Sequence, residues 1–391
     1  MTRPPWLTRG AVAIVTATFF SDVGHEMVTA VLPLYLSSVG LGAAALGVME
    51  GLADLAFSLS KLAGGVAGHR APRRKTALAT AGYALTAVAS AAIALVRAAP
   101  AVAALRAVAW WGRGFRSPLR DALLAEEVSP THFGRAYGIE RSADMLGAVA
   151  GPLCALGLVA LRVPLPAIIA ASALPSLLAV AAIASVPPRA GSQTPPAAAP
   201  AARLPRSFWA FTGSVLLFGL GDFSRSFLVL LVARTFGGGG AGALGTGVLA
   251  YAIHNTVSGV VAAPAGRLAD RYPKRVVLAA GYGLGVVTQG LLAAGSDSRP
   301  VLALAVLLSG VYIAVEETVE KATAAELLAP EQRSLGFGVL ACANAVGDLV
   351  SSVYVGLLLE QHARAAFALA AVASAAGTVA LMLTRPERRA A

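Results

Sequence analysis

The stretch Ser21-Asp22-Val23-Gly24-His25-Glu26-Met27 lies in the middle of the first long apolar segment, residues 11–38. On a helix, Asp22, His25 and Glu26 fall at i, i+3 and i+4 and share one face. They stand 11 to 15 residues beyond the start of the segment, so roughly 17–23 Å along a helix, near the midplane of a hydrocarbon core about 30 Å thick. A lone charge at that depth costs roughly 2.5–3.5 kcal/mol on insertion scales. Two acids and an imidazole on one stripe therefore require partners or a wet cavity, and such a cluster is by default a candidate functional site. The competing reading is a polar knot that only ties helices together.

The surrounding composition supports the membrane reading. Of 391 residues, 57% are hydrophobic and 13% charged, against about 25% charged in soluble domains. The net charge is +11, but the basic residues sit in short runs between apolar segments, a topology signal rather than a nucleic-acid footprint. The two cysteines, Cys154 and Cys342, lie inside apolar segments and read as small core residues. The basic N-terminus runs into a long span with no small-residue cleavage site, which reads as an uncleaved first helix.

Twelve segments reach the length of a span: 11–38, 43–68, 76–97, 100–124, 136–161, 164–186, 207–234, 243–267, 275–295, 299–327, 334–360 and 363–384. The Pro-, Ala- and Arg-rich stretch 187–206 reads as a linker between an N-terminal six-helix bundle, 1–186, and a C-terminal one, 207–391. Arg and Lys collect on the side of both termini and the linker. By the positive-inside rule that side is cytoplasmic. The halves repeat at an offset of 200: Asp22 matches Asp222, His25 matches Arg225, and Gly147 matches Gly347. Arg116, Arg120 and Asp121 are answered by Glu316, Glu320 and Lys321, with the charge signs swapped.

After the eighth segment stands Gly266-Arg267-Leu268-Ala269-Asp270-Arg271-Tyr272-Pro273-Lys274-Arg275. After the second stands the same frame, Gly65 to Lys75, with His69 where the acid is due. The first of these resembles the loop signature of the major facilitator superfamily. Gly138, Gly147, Gly151 and Pro152 resemble that superfamily's antiporter pattern, with Ala155 in place of its last glycine. Small residues permit close helix approach, and the proline bends the helix.

This resemblance, to the drug-efflux and antiporter-like branch, implies an all-α fold of two pseudo-symmetric six-helix bundles. It implies that helices 1, 4, 7 and 10 line a central cavity. That lining would hold Asp22, His25, Glu26, Arg113, Arg116, Arg120, Asp222, Arg225, Glu316, Glu317 and Glu320. For Arg113 and Arg116 the roles are an anion contact or a switchable counter-ion, against a fixed salt bridge; Arg120 reads as the fixed bridge. Glu50, Asp54 and Lys61 on helix 2, with His254 and Asn255 on helix 8, are gating or structural candidates. So are the loop residues Gly266, Asp270 and Arg271. Glu140, Arg141 and Asp144 read as structural partners of helix 4.

The resulting expectation is proton-coupled antiport of a small solute or drug outward, by alternating access, with Asp22 and Glu26 as first candidates for the proton. Alternatives are a proton-linked importer of a small metabolite, an exporter of divalent metal using Asp22, His25, Glu26, His254 and the helix 10 glutamates, and a non-transporting sensor. No enzyme activity, cofactor, resident metal site or nucleic-acid partner is expected, the energy coming from a proton gradient. The expected setting is a bacterial inner membrane, with the chain as a monomer.

Overall fold

The computed structural model describes residues 6–39, 43–187, 203–236 and 240–384. The linker from 188 to 202, the C-terminal basic run and the Glu50 side chain lie outside the described residues. Among the described residues twelve helical segments follow one another, with no strand. We number them α1 (Arg9–Ser38), α2 (Ala43–Arg70), α3 (Lys75–Ala92), α4 (Ala99–Glu127), α5 (Phe133–Ala160) and α6 (Leu165–Ala184). Then come α7 in two pieces (Arg206–Gly219 and Arg225–Phe236), α8 (Gly240–Arg271), α9 (Lys274–Gly295) and α10 (Arg299–Leu327). A last helical run, Arg333–Leu383, leaves helical geometry at His362 and so supplies α11 (333–361) and α12 (363–383).

Apolar runs form these helices because a bilayer offers the backbone no hydrogen-bond partner, so each segment must satisfy its own amides. By length and composition alone, seven stretches can cross a membrane; they comprise α3, α5, α6, α8, α9, α10 and the α11–α12 run. Those left out are α1, α2 and α4, which carry charges within their spans, and α7, which is interrupted. Many large apolar side chains point outward, among them Leu153, Leu156, Leu161, Leu357 and Leu383. In water such a surface would aggregate; in lipid it is solvated. Cys154 belongs to this surface and not to the core expected for it, because one side of every lipid-facing helix is apolar and exposed.

The described chain groups into two compact units. The first holds residues 1–130, 143–203 and 328–341; the second holds 131–142, 204–327 and 342–391. The start of α5 belongs to the second and the start of α11 to the first. In the first unit Val28, Leu32, Leu36, Ile93, Val102 and Ile168 form an apolar core at one end. In the second, Leu228, Leu302, Ala305, Val355 and Phe367 do the same.

Two glycine contacts set the first unit's interior. A Cβ on Gly147 would lie 2.7 Å from the Phe19 carbonyl and 2.9 Å from the Asp22 Cβ. One on Gly151 would lie 2.6 Å from the Val23 carbonyl. Only hydrogen fits at these positions, so α5 meets α1 backbone to backbone beside the acidic stripe.

Candidate functional site

In the first unit the polar residues converge where α1, α4 and α5 meet. Asp22 is 2% exposed and ion-pairs with Arg113. The close approach at Gly147 also brings the Asp144 carboxyl within hydrogen-bonding reach of Asp22. Asp144, expected to partner α4, acts on Arg113 of that helix and also reaches the α1 stripe; it lies one helical turn before Gly147, the residue that admits α1.

His25, also 2% exposed, packs edge-on against Trp110 at 4.9 Å, and its Nδ1 has no hydrogen-bond partner. Arg106, fully buried, donates to Thr29 Oγ1 at 3.2 Å and lies 5.3 Å from the Trp110 ring. Arg116 stacks its guanidinium 3.7 Å from the Tyr83 ring centre and leaves Nη1 without a partner. Arg120 bonds its neighbour Asp121 at 3.1 Å and Thr18 at 3.5 Å, so it takes the fixed role.

In the second unit α7 breaks at residues 220–224, and Asp222 stands in the break. A broken helix exposes backbone groups that lipid cannot satisfy. Here side chains do so. Tyr354 donates to the Leu220 carbonyl at 2.8 Å, Gln289 to the Gly221 carbonyl at 2.8 Å, and Ser351 to the Asp222 carbonyl at 3.0 Å. The Ser224 N–H donates to Ser352 Oγ at 3.0 Å. The Asp222 side chain accepts from Tyr312 at 2.8 Å. Glu320 accepts from Tyr282 and from Asn344, the latter at 2.9 Å. Glu316 is 4% exposed, and its Oε2 has no partner.

Arg141 grips Glu317 through two N–H groups, at 2.5 and 2.6 Å. Lys321 reaches Glu140 at 3.4 Å. Both pairs join the start of α5 to α10, a partner not expected for Glu140 and Arg141. Arg225 contacts Asn255 Oδ1 at 3.5 Å. His254 Nδ1 lies 2.8 Å from Ser309 Oγ, which is also 2.9 Å from the Val306 carbonyl. Asp54 is exposed, and Lys61 stacks 4.1 Å from the Phe57 ring centre. Among the described residues, no three His, Cys, Asp or Glu side chains come together as a metal ligand set.

The loop signatures dock at helix starts. Asp270 accepts the N–H groups of Gly134 and Arg135, at 2.7 and 3.0 Å, and the Arg135 side chain lies 3.4 Å away. The carboxylate thus caps α5, where the helix presents unpaired donors. Close approach makes this possible, since a Cβ on Gly134 would lie 2.2 Å from the Gly266 carbonyl. In the other copy His69 Nδ1 lies 3.0 Å from the Glu331 carbonyl, just before α11. A carbonyl only accepts, so the histidine donates, with polarity opposite to the acid.

The sequence model of the Major Facilitator Superfamily matches residues 14–221 and 248–391. The chain belongs to the Major Facilitator Superfamily. An uncharacterised transporter of this superfamily's type from Methanocaldococcus jannaschii is 23% identical over 363 residues, covering 90% of this chain and 89% of the relative. An uncharacterised Mycobacterium tuberculosis protein is 26% identical over 354 residues, covering 87% and 84%. The fold is also that of the human organic anion transporter MFSD10 (TM-score 0.75, 18% identity, 97% of this chain and all of the other). It matches, too, a bacterial homologue of the iron transporter ferroportin in its outward-facing state (0.76, 16%, 96% and 99%). Membership makes the chain a multi-pass membrane transporter, with an all-α fold of twelve helices.

Sequence reading missed several members of these superfamily polar clusters. Arg106 carried a signal, since it lies seven residues before Arg113 on the same helix face. Trp110, Tyr282, Tyr312, Gln289 and Asn344 carried none, because an aromatic or amide residue in an apolar span looks like packing until its partners are known. The break in α7 had a weak signal in Gly219 and Gly221 flanking Leu220.

Proposed function

We propose that the chain is a proton-coupled secondary transporter of a small solute, working by alternating access, with the Asp22–Asp144 pair beside Arg113 as its proton carrier. The carrying observation is the convergence of two carboxyls on one arginine at a glycine-enforced crossing of α1 and α5. Two carboxylates so close do not both ionise readily, so the pair takes up and yields one proton as its surroundings change. Arg113 remains charged and holds the site when the proton leaves.

Two senses of coupling follow from different features. The Gly138, Gly147, Gly151 and Pro152 pattern in α5 favours outward antiport, the drug-efflux sense. The three arginines around the carboxyl pair favour a solute that travels with the proton, the sense of a proton-linked importer. The metal-export reading lacks an assembled ligand set among the described residues. Both termini and the linker are assigned to the cytoplasm of a bacterial inner membrane, on the distribution of Arg and Lys.

The test is solute flux in proteoliposomes under an imposed pH gradient, with organic anions, cationic drugs and divalent metals offered to the same vesicles. Accumulation driven by the gradient for any solute, with its sign, establishes coupling and sense. Flux of a solute that ignores the gradient in both directions would refute proton coupling.

A further inference from the structure

We infer that the cytoplasmic end of α8 is a docking site for an anionic phospholipid, whose phosphodiester is held by Arg267 and Arg271. This site is independent of the proton carrier proposed above; it depends only on placing this helix end in the cytoplasmic leaflet. The carrying observation is where two unmatched cations fall on the helix. Val260, Pro264, Arg267, Leu268 and Arg271 lie within about 100° of one another around α8, and all five are exposed. Val260 is 63% exposed and Leu268 48%, an apolar surface of the kind that lipid solvates. The stripe therefore runs from acyl-chain depth to the helix end, where the two guanidiniums close it, one turn (roughly 6 Å) apart. Tyr272 follows, 51% exposed, with the Arg271 guanidinium 5.9 Å from its ring centre. A ring and a cation side by side suit the headgroup layer, where each finds its own medium.

The acids of this end are engaged elsewhere. Asp270, which lies between the two arginines in sequence, accepts the N–H groups of Gly134 and Arg135. Glu326 pairs with Lys274 at 2.9 Å, and Arg275 donates to the Thr384 carbonyl at 2.7 Å. Among the described residues no acid contacts Arg267 or Arg271. Guanidinium forks match phosphate oxygens in geometry as well as charge. A free phosphate would meet the arginines and leave the apolar stripe unused. A zwitterionic lipid would cover the stripe but bring its own cation against them. An anionic phospholipid satisfies both. The first repeat supplies a contrast. Where the second has Arg267, Arg271 and Tyr272, the frame Gly65 to Lys75 has Val66, Arg70 and Ala71. Arg73 and Arg74 are exposed beside them. Basic charge is thus common to both loops, whereas the paired arginines and the ring belong to the α8 copy.

Mass spectrometry of the intact, detergent-purified full chain tests this by counting bound ligands per chain. The probes are dioleoyl phosphatidylglycerol, dioleoyl phosphatidylcholine and glycerol 3-phosphate, titrated separately. Phosphatidylglycerol should bind at least about tenfold more tightly than either of the others. The double variant Arg267→Gln, Arg271→Gln should lose at least about tenfold in affinity, and the corresponding double lysine variant should recover part of it. Leu268→Gln, which leaves both cations in place, should weaken the lipid a few-fold through the stripe. Arg74→Gln removes the same charge from the first repeat and should change affinity by no more than about twofold. Thermal melting shows which variants are folded; should the double glutamine variant fail to fold, Arg267→Val, the first repeat's residue, carries the same comparison with an expected loss of a few-fold. Absence of phosphatidylglycerol binding overturns the site, as does equal binding of phosphatidylcholine. Equal binding of glycerol 3-phosphate overturns the lipid as occupant. A folded arginine variant that binds like the wild type, or an Arg74→Gln loss as large as that of the α8 arginines, shows that general surface charge and no α8 site attracts the lipid.

Discussion

Asp22 and Asp222 occupy matching positions of the two repeats, yet their surroundings are opposite in kind. Asp22 lies within an unbroken α1, paired with Arg113 and touching Asp144. Asp222 stands in the gap of α7, its carboxylate held by the Tyr312 hydroxyl and its carbonyl by Ser351. The first arrangement suits a group that exchanges a proton beside a permanent charge. The second suits a fixed backbone turn, since the Tyr312 and Ser351 hydroxyls anchor it, with the Arg225 guanidinium nearby.

The two acids of the first unit should separate by mutation. Asp144→Asn keeps the Asp22–Arg113 ion pair and removes the shared proton. It should abolish pH-gradient-driven accumulation in proteoliposomes while solute exchange without a gradient persists. Asp22→Asn breaks the direct ion pair of Arg113 and leaves it Asp144 and Glu26; breaking a buried pair costs about 3–5 kcal/mol, less here because those acids remain and Arg113 is partly exposed. It should lower thermal stability as well as accumulation. If both variants lose exchange and accumulation in parallel with folded yield, the cluster is a structural knot.

Gly147 is predicted to be intolerant of even one methyl group. Gly147→Ala places a Cβ 2.7 Å from the Phe19 carbonyl, so α1 and α5 must part. Overpacking of this kind costs about 1–3 kcal/mol. A lower melting temperature together with reduced gradient-driven flux is the expected result, and a variant with wild-type melting and flux would show that the crossing is not needed.

Asp270→Asn should impair transport more than His69→Asn. The amide oxygen of the asparagine can accept one of the two N–H groups at the start of α5 but carries no charge for the helix end or for Arg135. His69 donates one bond to a carbonyl, and an asparagine amide can replace it. Flux measured per folded, membrane-inserted protein compares the two; equal losses would remove the asymmetry between the loops.

The gap in α7 depends on its side-chain clamps. Tyr354→Phe leaves the Leu220 carbonyl unmet and should cost about 1–3 kcal/mol; Gln289→Leu should cost less, because the Gly221 carbonyl keeps the Phe223 N–H at 3.2 Å. The two residues clamp adjacent carbonyls of one turn, so the double variant should depart from additivity in thermal melts. Two silent single variants would mean that another donor takes over.

The sequence by itself determined the class and the repeat. Twelve apolar runs, the charge rhythm between them and the 200-residue offset require a duplicated helical membrane protein, because lipid allows a spanning backbone little else. The spacing of Asp22, His25 and Glu26 also marks one polar face, since helix periodicity is local. Which groups meet across that face was decided by tertiary packing. Nothing in the spacing of Asp144 says that it meets α1, because that contact follows from the depth at which Gly147 seats against Phe19 and Asp22. Nothing in Glu140 and Arg141 says that they turn to α10. The break at Asp222, which no periodicity marks, exists because Tyr354, Gln289 and Ser351 arrive from elsewhere in the chain to satisfy its carbonyls. Local pattern fixes where a helix runs and which stripe is polar; only the packed fold fixes each polar group's partner, and in a low-dielectric interior the partner decides what the group can do.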